Sequence, residues 1–221
     1  MRNTPVTSPV YYPIFLNIQG KKCTVIGGGK VAVRKVRMLL NHGPKVTVIS
    51  PKPDPEMVRL SQERLIRLLR RDYRRGDLQG SALAIAATDA EEINHRAARE
   101  AQKNGILVNV VDDPGSSDFI IPSFFKRGDL TVAVSTAGKS PAFAKKIRRK
   151  LERSLGREYA SLLSLVSEAR SVVKEKGHAI DGEVWQKALD LDSLIGFIKK
   201  GQRKQAKATL IKKLESHRAG P

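Results

Sequence analysis

Lys22-Cys23-Thr24-Val25-Ile26-Gly27-Gly28-Gly29-Lys30-Val31-Ala32 is a β-branched, apolar run that ends in three glycines and passes directly into a helical pattern. Cys23 to Ile26 has the length and composition of a buried strand. Gly27, Gly29 and Ala32 hold the three small-residue positions of a G-x-G-x-x-G/A turn. Such a turn works because the first glycine bends the chain sharply, the second admits a pyrophosphate against bare backbone, and the third small residue lets helix and strand pack closely. The free N–H groups and positive dipole end of the following helix then face the anion. A glycine-rich turn binding nothing remains the competing reading until its neighbours are considered.

Those neighbours supply a strand–helix–strand unit. Val31 to His42 is predicted as a helix whose inner face is set by Val31, Lys35 to Leu39 and Leu40, stopped by Gly43; Lys45 to Ile49 is a second strand. A dinucleotide site commonly offers Asp or Glu to the ribose after that strand. Here the chain has Ser50-Pro51-Lys52-Pro53. Ser50 can hydrogen-bond a ribose hydroxyl and Lys52 can meet a 2′-phosphate, so the residues lean to NAD and leave NADP open.

Further along, Pro55 to Gln62 is a short helix candidate, Leu65 to Tyr73 an edge strand, and Leu83 to Thr88 a buried strand with small residues at its end. Asp89 and Glu92 resemble a capping box opening a helix to about Asn104, with Gly105 as its stop. Ile106 to Val111 is the next strand, ending in Asp112-Asp113-Pro114-Gly115. This alternation to residue 113 defines an α/β class with an open, Rossmann-like parallel sheet. Ligands of such sheets bind beyond the carboxyl ends of the strands, where Gly27, Gly28, Gly29, Ser50, Ala87, Thr88, Asn109 and Asp112 all fall. Upstream, the apolar stretch Tyr11 to Ile18 is expected to add an edge strand or to pack on the sheet.

Beyond Pro114 the alternation stops. Phe119 to Phe125 and Leu130 to Ser135 are predicted strands joined through Lys126 to Asp129, and Ser140-Pro141 is a good N-cap with proline at the first helical position. Phe143, Ile147, Leu151 and Leu155 follow at four-residue spacing. Two strands and a helix bury too little to stand alone, so this small α+β segment is expected to be covered by a second copy of the chain. From about 151 the pattern is helical and basic, with a break near residues 177–182; the densely charged tail from Lys199 through Lys213 has the look of a solvated or frayed helix. The expected organisation is therefore a dinucleotide-binding domain over 1–113, a dimerisation segment over 114–150 and a basic helical domain over 151–221.

The 221 residues carry 41 Lys plus Arg against 22 Asp plus Glu, a formal charge of +19. The balance has three readings between which composition does not choose: nucleic acid as partner, a small polycarboxylate drawn by the same field, or a solvated surface that only keeps the protein soluble. A single cysteine and four histidines exclude a disulfide framework and a Cys-rich metal site, and Cys23 is expected to be a buried small hydrophobe in a reducing, cytoplasmic setting. No signal-like N-terminus and no apolar run near membrane-spanning length is present. His42, His95, His178 and His217 fall on predicted helices or tails and form no metal-ligand spacing. Neither a Walker motif, a G-x-S-x-G elbow nor an RNA-binding aromatic signature occurs. Asp112 is the acid to single out, because its strand places it across the sheet from the glycine turn. By position it is equally a general base and an ordinary turn residue.

Several motifs occur together and in order: Tyr12 to Leu16, Val25 to Lys35, Ala86-Ala87-Thr88-Asp89, Asn109-Val110-Val111-Asp112, Phe119 to Ser123, and Val134-Ser135-Thr136-x-Gly138-x-Ser140-Pro141. Over residues 12 to about 155 they resemble the precorrin-2 dehydrogenase family of sirohaem synthesis. The resemblance implies NAD-dependent oxidation of precorrin-2 to sirohydrochlorin, and in some relatives insertion of ferrous iron to give sirohaem. It also implies a homodimer, a catalytic role for Asp112, NAD contacts from the glycine turn with Lys30, Val31, Pro51 and Lys52, and a tetrapyrrole cleft near Ser135, Thr136 and Ser140. Some relatives carry a fused methyltransferase domain; this chain is expected to act without one and to take precorrin-2 from a separate enzyme. On this reading the basic surface steers a polyanionic macrocycle. The alternative is a nucleotide-sensing protein that binds nucleic acid through its basic helices.

Overall fold

The computed structural model describes residues 10–177 and 181–216; His178 and His217 lie outside them. The chain divides into two compact units, residues 1–121 and 122–221, where three segments were expected.

In the first unit, β1 (Lys22–Ile26), α1 (Lys30–Leu40), β2 (Lys45–Ile49), α2 (Pro55–Gln62), β3 (Ile66–Leu69), β4 (Leu83–Ala86), α3 (Glu91–Lys103) and β5 (Leu107–Val110) follow one another. The five strands form one parallel sheet in the order β3-β2-β1-β4-β5. A parallel sheet needs apolar side chains on both faces, and β1 supplies them by alternation. Cys23 and Val25 pack with Val36, Leu39 and Met57 of α1 and α2, whereas Ile26 joins Ala97, Ala98 and Ala101 of α3 on the other face. Burial leaves Cys23 inaccessible and pushes its thiol up to about 11.

The inner face of α1 is Ala32, Val33, Val36 and Leu39; Val31 is exposed, so the expected stripe is displaced around the helix. Tyr11 to Ile18 forms no strand. Pro13 removes a ladder donor, Tyr12 and Phe15 are 87% and 77% exposed, and only Ile18 reaches the core. Asp89 and Glu92 make no capping box. Instead Ala90 is the N-cap of α3 without a side-chain bond, and Thr88 and the buried Asn94 lock together. The Thr88 N–H and hydroxyl donate to Asn94 Oδ1 at 3.2 and 2.8 Å, while Asn94 Nδ2 donates to the Thr88 carbonyl at 2.9 Å.

The loop before β4 is held by charge. Glu100 of α3, buried, accepts from the Tyr73 hydroxyl at 2.6 Å and from the Gly76 and Leu78 N–H groups at 3.0 and 3.2 Å. Removing a buried acceptor leaves several donors unpaired. Glu100→Ala is therefore expected to destabilise the protein by about 3 kcal/mol in urea unfolding. Nearby, Arg71 grips Asp77 through two parallel bonds of 2.7 and 2.8 Å. The guanidinium, then the Arg74 N–H, hold the Asp77 carboxyl below the usual carboxylate range. A depressed folded-state value contributes stability that is present above about pH 4 and lost as pH falls through the folded value. Asp77→Asn should thus cost stability at pH 7, with the deficit shrinking toward pH 2 in thermal melts at stepped pH.

In the second unit, β6 (Ser123–Arg127) and β7 (Leu130–Val134) form an antiparallel hairpin, followed by α4 (Pro141–Ser154), α5 (Glu158–Glu175), α6 (Gly182–Ala188), α7 (Leu191–Lys199) and α8 (Arg203–Ser216). The first hairpin strand begins later than expected. Phe119 and Ile121 pack on the first unit's core, and the Asp118 N–H and carboxylate clip the segment to Val108 at 2.8 and 2.9 Å. Arg127 of β6 donates to the carbonyls of Leu155 and Glu152 at 3.1 and 3.0 Å, closing the end of α4. The charged tail is not a frayed end: Ala206, Leu210 and Leu214 of α8 are fully buried against Leu165, Ala169 and Leu194. Its cations find acids close by, Arg203 and Lys207 on Glu168 and Lys213 on Asp190. Among the described residues no helix is long and apolar enough to cross a membrane.

Candidate functional site

The strand registers bring the candidate residues of the first unit into one row. Ile26 pairs with Ile49 and with Ala86, and Ala86 with Val110. The ladder continues one residue further: Gly27 N–H to Ile49 O at 2.9 Å, Ala87 N–H to Ile26 O at 2.8 Å, Val111 N–H to Ala86 O at 2.9 Å and Ser50 N–H to Leu69 O at 3.0 Å. Gly27, Ser50, Ala87 and Val111 therefore border the carboxyl edge of the sheet, with Asp112 next beyond.

Each glycine of the turn has its own constraint. Gly27 has φ +121°, and a Cβ there would stand 2.2 Å from the Ala87 carbonyl oxygen. A Cβ on Gly28 would meet Ser50 Oγ at 2.3 Å and Pro53 Cα at 2.8 Å. Gly29 is different, since its Cβ would meet nothing within 4 Å. It is the N-cap of α1 and offers no side chain to the first-turn N–H groups, and no acid lies in that turn. By contrast α2, α4, α6 and α7 are capped by Asp54, Ser140, Asp181 and Asp190. The α1 terminus thus keeps bare N–H groups beside open space, the arrangement an anion takes up. Lys30 and Val31 stand exposed on its first turn.

Ser50 is buried and its hydroxyl accepts from the Lys52 N–H at 3.3 Å, while Pro51 and Lys52 are exposed. The acid of this loop, Asp54, is spent on the Glu56 N–H at 2.9 Å. Ala87 packs against Gly27, and Thr88 is engaged by Asn94. The residues present fit a dinucleotide: bare backbone at Gly29, an uncapped helix end and a hydroxyl beside the second strand.

At β5 the two aspartates part company. Asp113 shapes the turn, accepting from the Ser116 N–H at 3.1 Å and lying 3.8 Å from His95 Nδ1, and the Ser116 hydroxyl is first among the causes that hold its carboxyl low. Asp112 is exposed, with φ +60°, a left-handed conformation few residues adopt outside Gly, Asn and Asp. Lys35 of α1, half-buried, is its charged neighbour: burial and then Arg34 push the ammonium down, and the Asp112 carboxylate pulls it back up. Asn109 is buried on the α1 face of the sheet. Its Nδ2 donates to the Phe119 carbonyl at 3.0 Å, but its Oδ1 has no partner, an acceptor of the kind a bound donor satisfies. The structure thus adds Lys35 and Asn94 to the residues that matter here. Asn94 gave no sequence signal, since an Asn inside an amphipathic helix ordinarily faces water.

Ser135, Thr136 and Ser140 belong to the second unit. Their hydroxyls build the loop before α4, accepting from the N–H groups of Ala137, Ser140 and Phe143 at 3.1, 3.1 and 3.2 Å. Among the described residues no group of three or more His, Cys, Asp or Glu could hold a metal ion.

The sheet order, glycine turn and uncapped helix define an NAD(P)-binding protein of the Rossmann type. An NAD(P)-binding family model matches residues 14–123, and a model described as sirohaem biosynthesis protein central matches 127–154. The chain is 38% identical over 199 residues to siroheme synthase 1 of Aeromonas salmonicida, covering 89% of this chain and 42% of that protein. It is 35% identical over 206 residues to siroheme synthase of Chromobacterium violaceum, covering 92% and 44%. The chain belongs to this sirohaem-biosynthesis family, and spans less than half the length of these curated relatives. Among solved structures it is similar in fold to SirC, a precorrin-2 dehydrogenase, with a TM-score of 0.67 and 24% identity over 93% of this chain and 100% of that one.

Proposed function

We propose that the protein is a cytoplasmic, NAD-dependent precorrin-2 dehydrogenase producing sirohydrochlorin. The observation that carries the reading is the shared carboxyl edge of the sheet, where an uncapped helix start opens beside Gly29 and an exposed aspartate is held by the left-handed turn after β5. When bound, the nicotinamide accepts hydride from the substrate. The first-turn N–H groups of α1 would hold its pyrophosphate, and Ser50 a ribose hydroxyl. Asp112 accepts the proton that leaves the macrocycle as it gains conjugation. The buried Ser50 hydroxyl, rather than a phosphate-binding arginine, supports NAD over NADP.

The test is an anaerobic assay of NADH formation from precorrin-2, run with NAD and with NADP. Substrate-dependent NADH formation is expected; no reduction of either nucleotide overturns the reading. Subsequent addition of ferrous iron shows whether the metal is a further substrate. A homodimer is part of the same proposal: α4 buries only Ala144 and leaves Phe143 57% exposed, an apolar surface a second copy would cover. Sedimentation of the intact chain at micromolar concentration tests it.

Gly29→Ala separates folding from binding. The added methyl enters open space, so unfolding by urea should be nearly unchanged. NAD affinity should fall about tenfold or more, because the methyl occupies the approach of the pyrophosphate; calorimetric titration reads it.

A further inference from the structure

At the opposite edge of the sheet lies a second concave site that the dehydrogenase reading does not use. A cleft of about 790 Å³ opens where β4 and β5 begin, between the loop carrying Gly76 and Gly80 and the final turns of α3. Arg75 from the loop and Arg96, Arg99 and Lys103 from α3 line it. The helical three recur at i, i+3 and i+7, hence on one face. No side-chain hydrogen bond or ion pair engages any of the four, although acids are at hand. Glu100 is committed to Tyr73, Gly76 and Leu78, and Asp77 to Arg71 and Arg74. Four unpaired cations around one hollow repel one another, and a bound anion relieves that repulsion.

The wall opposite α3 is built rather than merely exposed. Lys22 Nζ donates to the carbonyls of Asp77 and Gln79 at 3.2 and 2.7 Å, adding to the Glu100 and Asp77 bonds that fix the same loop. Gly76 and Gly80 take φ of +97° and +72°, and a Cβ on either would meet nothing within 4 Å. The loop is therefore pinned from behind and bare toward the cleft. Complementing the α3 dipole accounts for Lys103 in the last helical turn, but not for Arg75, which belongs to a different element.

We propose that this cleft is a second anion site, selective for a compact oxyanion bearing several charges, of the linear polyphosphate class. Guanidinium forks match phosphate oxygens in geometry and charge. The macrocycle is a poor occupant, because a planar ring is held by apolar and aromatic walls. The only aromatic residue here, Tyr73, is buried and spends its hydroxyl on Glu100. The site stands independently of the dehydrogenase reading.

Sodium tripolyphosphate is titrated calorimetrically into the intact chain at fixed ionic strength, with inorganic phosphate and sulfate as further arms. The expected result is saturable binding of one tripolyphosphate per chain, weaker for phosphate and sulfate. Arg96→Ala/Arg99→Ala should weaken it at least about tenfold, whereas Lys145→Ala/Arg149→Ala on α4 should leave it unchanged. Tripolyphosphate should also raise the melting temperature of the wild type and not of the α3 double variant. Non-saturable binding, an equal loss in the α4 variant, or wild-type binding by the α3 variant overturns the proposal. NAD titration of the α3 variant, expected to match wild type, keeps this outcome distinct from failure of the cofactor site.

Discussion

Asp112→Asn is expected to lower precorrin-2 turnover by about 10²–10⁴, the range for loss of a positioned general base, while NAD binds with wild-type affinity. The choice of asparagine follows from the backbone. Asp112 has φ +60°, a conformation Asn tolerates nearly as well as Asp but which costs alanine about 1 kcal/mol. Alanine would mix a strained turn with a missing carboxylate; asparagine removes only the capacity to take a proton. The turn itself does not depend on this side chain, since Asp113 and Ser117 make its hydrogen bonds, Ser117 Oγ accepting from Val110 N–H at 2.8 Å. Single-turnover measurement of NADH formation with enzyme in excess separates chemistry from product release. If asparagine and glycine variants both turn over like wild type, Asp112 is a turn residue and no base. A loss confined to KM would instead make it a substrate contact.

Gly27→Ala is expected to cost about 4 kcal/mol, combining backbone strain with overpacking. The methyl would lie 2.2 Å from the Ala87 carbonyl oxygen, and φ is +121°, outside the range L side chains adopt. Neither partner can yield cheaply. Gly27 N–H is bonded to Ile49 O and Ala87 N–H to Ile26 O, so relief would part β1 from β4 where both border the site. A shift of about 4 kcal/mol is a large share of the stability of an ordinary domain, so the variant should melt far below wild type or accumulate as aggregate. Circular dichroism melts of Gly27→Ala beside Gly29→Ala give the comparison. Two alanines two residues apart should differ by most of that energy, because one meets backbone and the other meets open space. Equal melting temperatures would show that the turn can relax.

Much of this molecule is legible from its residues alone. The run Cys23 to Ile26, its glycines and the following apolar periodicity determine a parallel strand–helix–strand unit, because only closely packed small residues allow that turn. The repeat of apolar strand and amphipathic helix through Val110 extends it to a sheet. The same pattern placed Gly29, Ser50 and Asp112 at strand ends, a consequence of chain direction in parallel sheets. Other features depended on distant partners. That Ile18, and not Tyr12 or Phe15, enters the core was hidden by uniform hydrophobicity in the segment. The sequence of α8 reads as a solvated tail because Ala206, Leu210 and Leu214 are outnumbered by lysines; Glu168 of α5 and the Asp190 cap absorb much of that charge. Asp112 and Asp113 are chemically alike on the page. Tertiary structure separates them, since Asp113 finds Ser116 in its own turn and His95 of α3, while Asp112 stays exposed with Lys35 as its charged neighbour. Local pattern thus determined where the candidate site lies. Which side chains remain free to act there was decided only by folding, because a polar group's availability depends on every other group that reaches it first.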